Sequence, residues 1–270
     1  MNARDPLTLT IWAWVAMAGW MSVLWVIERR IKNASLADVG WCIGLVGVVN
    51  GYAWTATGEV ERKVMLAFMV SVYGLRLGGY LLMHRVLGQR EDARYQRLRD
   101  EWGLARPLRM FGYFQGQAIA VVLFSLPFLA VMQNPRPPFG LWELAGVLLW
   151  VVGIAGETIA DRQLAAFRAK SWNHDRVCRE GLWSVSRHPN YFFEWLHWWA
   201  YVVMAIGSPG WLVTWIGPIV MGVALRYVTG VPWAEAQALR TRGEDYRRYQ
   251  ETTSPFLPRW PRPSIGTNKR

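Results

Sequence analysis

The residues of this 270-residue chain best suited to chemistry run Arg187-His188-Pro189-Asn190-Tyr191-Phe192-Phe193-Glu194-Trp195. Pro189 fits the first turn of a helix, where its missing N–H costs nothing. The free N–H groups of that turn, with Arg187 and His188 beside them, form a ready site for an anion. Asn190, Glu194, His197 and Tyr201 recur at spacings of four, three and four, so one helix face carries all of them. A helix that starts on an anion site and carries polar groups into an apolar segment suits a phosphorylated cofactor and a lipophilic substrate.

Polar groups recur in other apolar runs, where an ionisable side chain is costly and points to function. Asp38 opens the second run. Tyr73 and Arg76 lie three apart on one face of the third, and Gly74, Gly78 and Gly79 beside them allow close helix approach. Glu157 and Asp161 lie four apart near the end of the fifth, with Arg168 two turns on. Each also has a plainer reading. Asp38 is a favoured helix cap. Arg76 is a structural partner for an acid, and Glu157 and Asp161 are interfacial residues bathed in water. His197, among Trp195, Trp198 and Trp199, is a packed core histidine. Glu143 reads as interfacial.

No Gly-x-Gly-x-x-Gly turn follows a strand, so a bound dinucleotide would not use a Rossmann unit. Cys42 and Cys178 are the only cysteines, and no His or Cys array has metal-ligand spacing. Neither a disulfide nor a metal site is expected.

The elements that must position these groups are membrane helices. The chain is 53% hydrophobic with 18 Trp, and several apolar runs approach or reach the roughly 20 residues that cross a bilayer. Seven spans are expected, at about 7–27, 37–55, 63–83, 114–132, 138–157, 191–206 and 209–227. The sixth is short, and the last two are open to a second reading as a buried hairpin through Gly207-Ser208-Pro209-Gly210. With the N-terminus outside, 25 of the 30 Lys and Arg fall on the inner side, four fall outside, and Arg76 lies within a span. The positive-inside rule then puts the basic loops and the C-terminus in the cytoplasm. The net charge of +11 is therefore a topology signal and not a nucleic-acid one. The first run is too long for a secretory signal and is followed directly by Glu28-Arg29-Arg30. The expectation is one all-α, multi-pass membrane domain over 1–270, with a basic cytoplasmic tail over 228–270. It would sit in a bacterial inner membrane among lipids, with no obligate protein partner.

The segment Gly181-Leu182-Trp183-Ser184 through Trp198 resembles the C-terminal domain of the steroid 5α-reductases, and more closely their bacterial membrane relatives of unassigned substrate. The resemblance continues through Tyr73-Gly74-Leu75-Arg76-Leu77, Glu91-Asp92-Ala93-Arg94-Tyr95 and Thr229-Gly230-Val231-Pro232. It reappears in Tyr246-Arg247-Arg248-Tyr249 with Thr253-Ser254-Pro255-Phe256, and covers nearly the whole chain from about residue 35. It implies a seven-helix membrane bundle that binds NADPH on the cytoplasmic side. It also implies reduction of a carbon–carbon double bond conjugated to a ketone, as in 3-oxo-4-ene steroids. Residue by residue, it implies that Asn190 and Glu194 hold the nicotinamide end, and that Asp161 and Arg168 hold ribose and phosphate. Arg76 would lie near the cofactor, and Tyr73 would hydrogen-bond the substrate carbonyl. Asp38 falls near the family's catalytic glutamate, but is an Asp within a different local motif. Glu157, Arg187, His188, Tyr191, Tyr246 and Tyr249 complete the expected cofactor-binding set. Isoprenylcysteine carboxyl methyltransferases and related phospholipid methyltransferases share an Arg-His-Pro-x-Tyr helix start with a downstream Glu and bind S-adenosylmethionine, which keeps a second enzyme class open. A non-enzymatic lipid-binding membrane protein is the third expectation.

Overall fold

A computed structural model describes residues 5–88, 91–173 and 175–260. Every regular element among them is helical. The helices are α1 (Pro6–Ile31), α2 (Leu36–Thr55), α3 (Val60–Leu81), α4 (Ala93–Trp102), α5 (Arg106–Met132), α6 (Leu141–Arg168), α7 (Pro189–Met204), α8 (Trp211–Thr214), α9 (Ile216–Val223) and α10 (Val231–Thr252). A π turn extends α3 over Leu82–Val86, and another extends α9 over Ala224–Val228. Six described stretches are long and apolar enough to cross a membrane: Pro6–Ile31, Leu36–Thr55, Val60–Val86, Arg106–Met132, Leu141–Arg168 and Trp211–Thr252. The chain is a polytopic helical membrane protein.

The last two expected spans take a different form. α7 has 16 residues, about 24 Å at 1.5 Å per residue, which is short of the roughly 30 Å of a hydrocarbon core. The following span breaks at Trp215, between α8 and α9. Restarting there puts Pro218 in the first turn of α9, where proline is tolerated. The apolar part of this stretch closes at the second π turn. α10 lies beyond it and carries eight charged residues in 22.

Helix ends follow from local chemistry. The Asp5 side chain accepts the Thr8 N–H at 3.2 Å, and Pro6 opens α1. Lys32 closes that helix in a left-handed conformation, φ 55°, with its N–H on the Glu28 carbonyl at 2.7 Å. α10 is two helices meeting at Gly243, whose φ of 48° and ψ of −122° suit a residue without a β-carbon.

The described chain divides into two compact units. The first holds residues up to Glu143 with Met204–Ile216; the second holds Leu144–Val203 and the residues from Gly217 on. In the first unit α2 is central, packed on α1, α3 and α5, and α1 also packs on α5. Met21, Leu45, Leu66, Phe114 and Phe128 are fully buried there. In the second unit glycines bring α6 against α7. A β-carbon at Gly153 would lie 2.6 Å from the Cβ of His197 and 3.0 Å from its backbone nitrogen, and one at Gly156 would enter the Phe193 ring.

One end of the first unit is closed by a buried ion pair that the sequence does not announce. Arg62 on α3 is fully buried, and its Nε donates to Glu143, the residue read as interfacial. Its Nη1 donates to the Asn134 carbonyl at 2.6 Å, and its Nη2 to the carbonyls of Arg136 and Pro137 at 2.8 and 3.2 Å. Glu143 also accepts the Phe139 N–H. Both charges belong to the core, because each has its lone pairs or hydrogens occupied and so tolerates the loss of water.

Candidate functional site

In the second unit Gly153 meets His197, Gly156 meets Phe193 and Asp161 meets Asn190, so α6 and α7 run antiparallel. Asn190 Nδ2 donates to Asp161 Oδ1 at 3.1 Å, while Asn190 Oδ1 accepts the Tyr191 N–H at 3.0 Å. Both ends of that amide are thereby oriented. The same register puts Glu157 level with Glu194, one turn further along from the Asp161–Asn190 pair. Glu157 and Glu194 are 4% and 7% exposed. Trp198 Nε1 donates to Glu194 Oε1 at 3.4 Å, and His197 Nδ1 lies 4.0 Å from Glu194 Oε2. His197, Trp198 and Tyr201 are fully buried. Arg168, at the end of α6, is exposed. This set suits the ribose and carboxamide of a nicotinamide nucleotide: carboxylates accept from hydroxyls and an NH2, and an amide both donates and accepts. An exposed arginine at the helix end suits a phosphate.

Arg187 and His188, expected to face an anion, turn into the protein instead. The Arg187 Nε donates to Glu235 Oε1 at 2.7 Å, and its Nη2 lies 2.6 Å from the same oxygen. Its Nη1 donates to the Thr253 carbonyl at 2.6 Å and the Gln250 carbonyl at 3.0 Å. The Arg187 N–H reaches the Ser254 carbonyl at 2.8 Å. His188 Nε2 lies 3.4 Å from Glu235, and the ring stacks on Tyr191 with centroids 5.4 Å apart. Burial holds His188 below the usual histidine range, despite the carboxylate beside it. Burial also pushes the Glu235 carboxyl up, but hydrogen bonds from His188 and Arg187, with the Arg187 charge, outweigh it and bring it to about 2. Tyr246 and Tyr249, expected against the cofactor, are buried in this seam. The Tyr249 hydroxyl donates to the Trp183 and Ser186 carbonyls, and burial raises both phenols well above their ordinary range.

Tyr73, Arg76 and Asp38 belong to the first unit. Tyr73 is fully buried on α3, and Arg76 follows it, half-buried. Asp38 is not a lone acid. Its Oδ1 accepts the Tyr95 O–H at 2.7 Å, its Oδ2 accepts Arg94 Nη2 at 3.2 Å, and Arg85 Nη1 lies 3.7 Å away. With the Tyr95 hydrogen on Asp38, the 3.0 Å contact between Tyr95 and Tyr113 has Tyr113 as donor, and Gln117 donates to Tyr113 at 2.9 Å. The hydrogens of this chain all run toward Asp38. The acid that falls near the family's catalytic glutamate is therefore engaged here as an acceptor, and it helps to seat α4.

The rest of the Glu91-Asp92-Ala93-Arg94-Tyr95 motif does the same work. Glu91 Oε1 accepts the Ala34 N–H at 2.7 Å, and Arg99 grips both Glu91 oxygens at 2.6 and 2.8 Å while also pairing with Glu28. Asp92 caps α4 by accepting the Arg94 N–H at 3.0 Å. Burial pushes the Asp92 carboxyl up, but the bonds and charge of Arg94, with Arg85, hold it below the usual carboxylate range. Burial raises Tyr95 well above the ordinary phenol, and the Asp38 charge adds to that. Glu28, Arg99, Tyr113, Gln117 and Glu235 carry no motif of their own. Glu91 lies just before α4 and Arg99 eight positions on, beyond the three- or four-residue spacing at which helical neighbours meet, so the sequence pattern did not point to that pair either.

A family model described as a protein of unknown function (DUF1295) matches residues 24–253. Among curated proteins, the uncharacterized protein C594.04c of the fission yeast Schizosaccharomyces pombe is similar. It is 25% identical over an alignment covering 88% of this chain and 76% of the yeast protein. Comparison with solved structures finds no match.

Proposed function

The chain belongs to the DUF1295 family of unknown function, and from that starting point we propose that it is an NADPH-dependent membrane reductase of the steroid 5α-reductase type. Its substrate is a lipophilic enone, and its basic loops and cofactor face lie in the cytoplasm of a bacterial cell. One observation carries this reading: Asp161 and Asn190 are joined at 3.1 Å between α6 and α7, with buried Glu157 and Glu194 one turn beyond. Asn190 and Glu194 hold the carboxamide end, Glu157 and Asp161 the ribose, and Arg168 a phosphate. The buried surroundings of His197, Trp198 and Tyr201 exclude water from the deep end of this set.

When bound, NADPH supplies the hydride. Hydride addition to the β-carbon of an enone builds negative charge on the ketone oxygen, and a hydrogen-bond donor aimed there lowers the barrier. Tyr73 takes that role, and the α-carbon receives a proton derived from solvent. Asp38 holds α4 through Tyr95 and Arg94.

Two buried carboxylates also suit a sulfonium cation, which favours S-adenosylmethionine as the comparison ligand. A thermal-shift experiment on detergent-purified protein with NADPH, NADH and S-adenosylmethionine separates the two. A ligand at one hundred times its Kd stabilises the folded state by about 2.7 kcal/mol. Stabilisation by NADPH, followed by enone loss on a 3-oxo-4-ene steroid panel, supports the reductase. Stabilisation by S-adenosylmethionine alone replaces it with a methyltransferase.

A further inference from the structure

We propose that Glu235, through Arg187, is a positioning residue for the cofactor-holding start of α7; the proposal rests on the reductase reading above. Arg187 is 8% exposed, and its guanidinium is bonded to Glu235 and to the carbonyls of Gln250 and Thr253. Glu235 in turn accepts Gln250 Nε2 at 2.8 Å. The neighbouring residues are tied to the same tail. Ser186 Oγ donates to the Phe256 carbonyl at 2.8 Å, and the Arg259 N–H to the Val185 carbonyl at 2.9 Å. Residues 185–188 are thus fixed to residues 235–259 immediately before Pro189 and Asn190.

Asn190 holds Asp161 through one 3.1 Å bond. A displacement of the first turn by about 1 Å takes such a bond out of range, and misplacement on that scale is costly to a bound reactant. A carboxylate in the tail, 45 positions after Asn190 in sequence, therefore sets where the cofactor-holding amide sits. Arginine is required at 187 because one planar fork serves the carboxylate and two carbonyls together, which a lysine ammonium does not reproduce.

The Glu235→Gln variant distinguishes this role from direct anion binding by the sign of its effect. If Arg187 were a phosphate ligand, removing the competing carboxylate would free it, and NADPH affinity would rise with a steeper salt dependence. As a positioning pair, Glu235→Gln lowers NADPH affinity by about tenfold, with salt dependence unchanged, and Arg187→Lys does the same. Amide hydrogen exchange over residues 190–194 rises in the variant without cofactor. Glu244→Gln, at an exposed carboxylate beyond the Gly243 kink of α10, leaves both readouts at the wild-type level. If Glu235→Gln fails to fold, Gln250→Ala removes only one Glu235 partner and shifts both readouts the same way by less. Unchanged exchange, or equal or tighter NADPH binding in Glu235→Gln, overturns the positioning role. A wild-type protein that binds no NADPH overturns the reductase reading itself, whatever the exchange result.

Discussion

Tyr95 donates its phenolic hydrogen to Asp38 at 2.7 Å, across 57 positions of sequence. The acid that opens α2 and the phenol of α4 therefore behave as a pair. A hydrogen bond to a charged group contributes about 1.5–3 kcal/mol, so Tyr95→Phe and Asp38→Asn should each lower thermal stability in detergent. The double variant should lose less than the sum, by a coupling of about 0.5–3 kcal/mol. Additive losses would separate the two residues and reopen an independent role for Asp38.

Gly153 and Gly156 make unequal demands. A β-carbon at Gly153 meets the Cβ and backbone of His197, whereas one at Gly156 meets a Phe193 ring that can turn. Gly153→Ala should cost about 1–3 kcal/mol, as overpacking does, and Gly156→Ala less. Gly153→Ala should also weaken NADPH binding by spreading Asp161 from Asn190. Thermal unfolding and cofactor titration on the two variants test the order, and a reversed order contradicts the α6–α7 register.

The seam around Glu235 should be acid-labile in two stages. Glu235 titrates at about 2 in the folded chain against an ordinary 4.5, so its contribution is full above 4.5 and fades as pH falls toward 2. His188 is held below its ordinary 6.5 by burial, so protons favour the unfolded chain as pH falls through 6.5. Both effects have the same sign, with stability rising with pH between about 2 and 6.5. Thermal unfolding from pH 7 to pH 3 should show the decline, and Glu235→Gln should flatten its lower stage and deepen the upper one, because the carboxylate that partly offsets burial at His188 is gone.

Tyr73→Phe keeps a fully buried ring and removes only the hydroxyl. Loss of one donor to a developing oxyanion costs about 10²–10³ in turnover, so kcat should fall on that scale while NADPH affinity stays near wild type. Steady-state kinetics beside a cofactor titration make the comparison. Full turnover in Tyr73→Phe would assign the carbonyl donor elsewhere.

The helical class was legible because apolar runs near 20 residues have few other fates. Residues at helical spacing within one segment, such as Asn190 and Glu194, were found because period 3.6 is a local property. Partners across the chain were not. Arg62 and Glu143, 81 positions apart, each look like interfacial charges until the helices are packed. Arg187 looked like an anion ligand because its neighbours matched a helix start, while Glu235 lay in a polar tail without a pattern. The Asp161–Asn190 pairing needed the α6–α7 register, which the glycines at 153 and 156 set but do not announce.

The Arg62–Glu143 pair also has an order in time. During synthesis Arg62 leaves the ribosome 81 residues ahead of its carboxylate, and the three carbonyls that complete its shell belong to Asn134, Arg136 and Pro137. Until that later stretch is made, Arg62 in the first turn of α3 has none of these partners. The first unit therefore cannot finish assembling when its third helix is made. It waits for the start of the sixth, so a lesion at Glu143 leaves Arg62 without its carboxylate however well the helices before it were made.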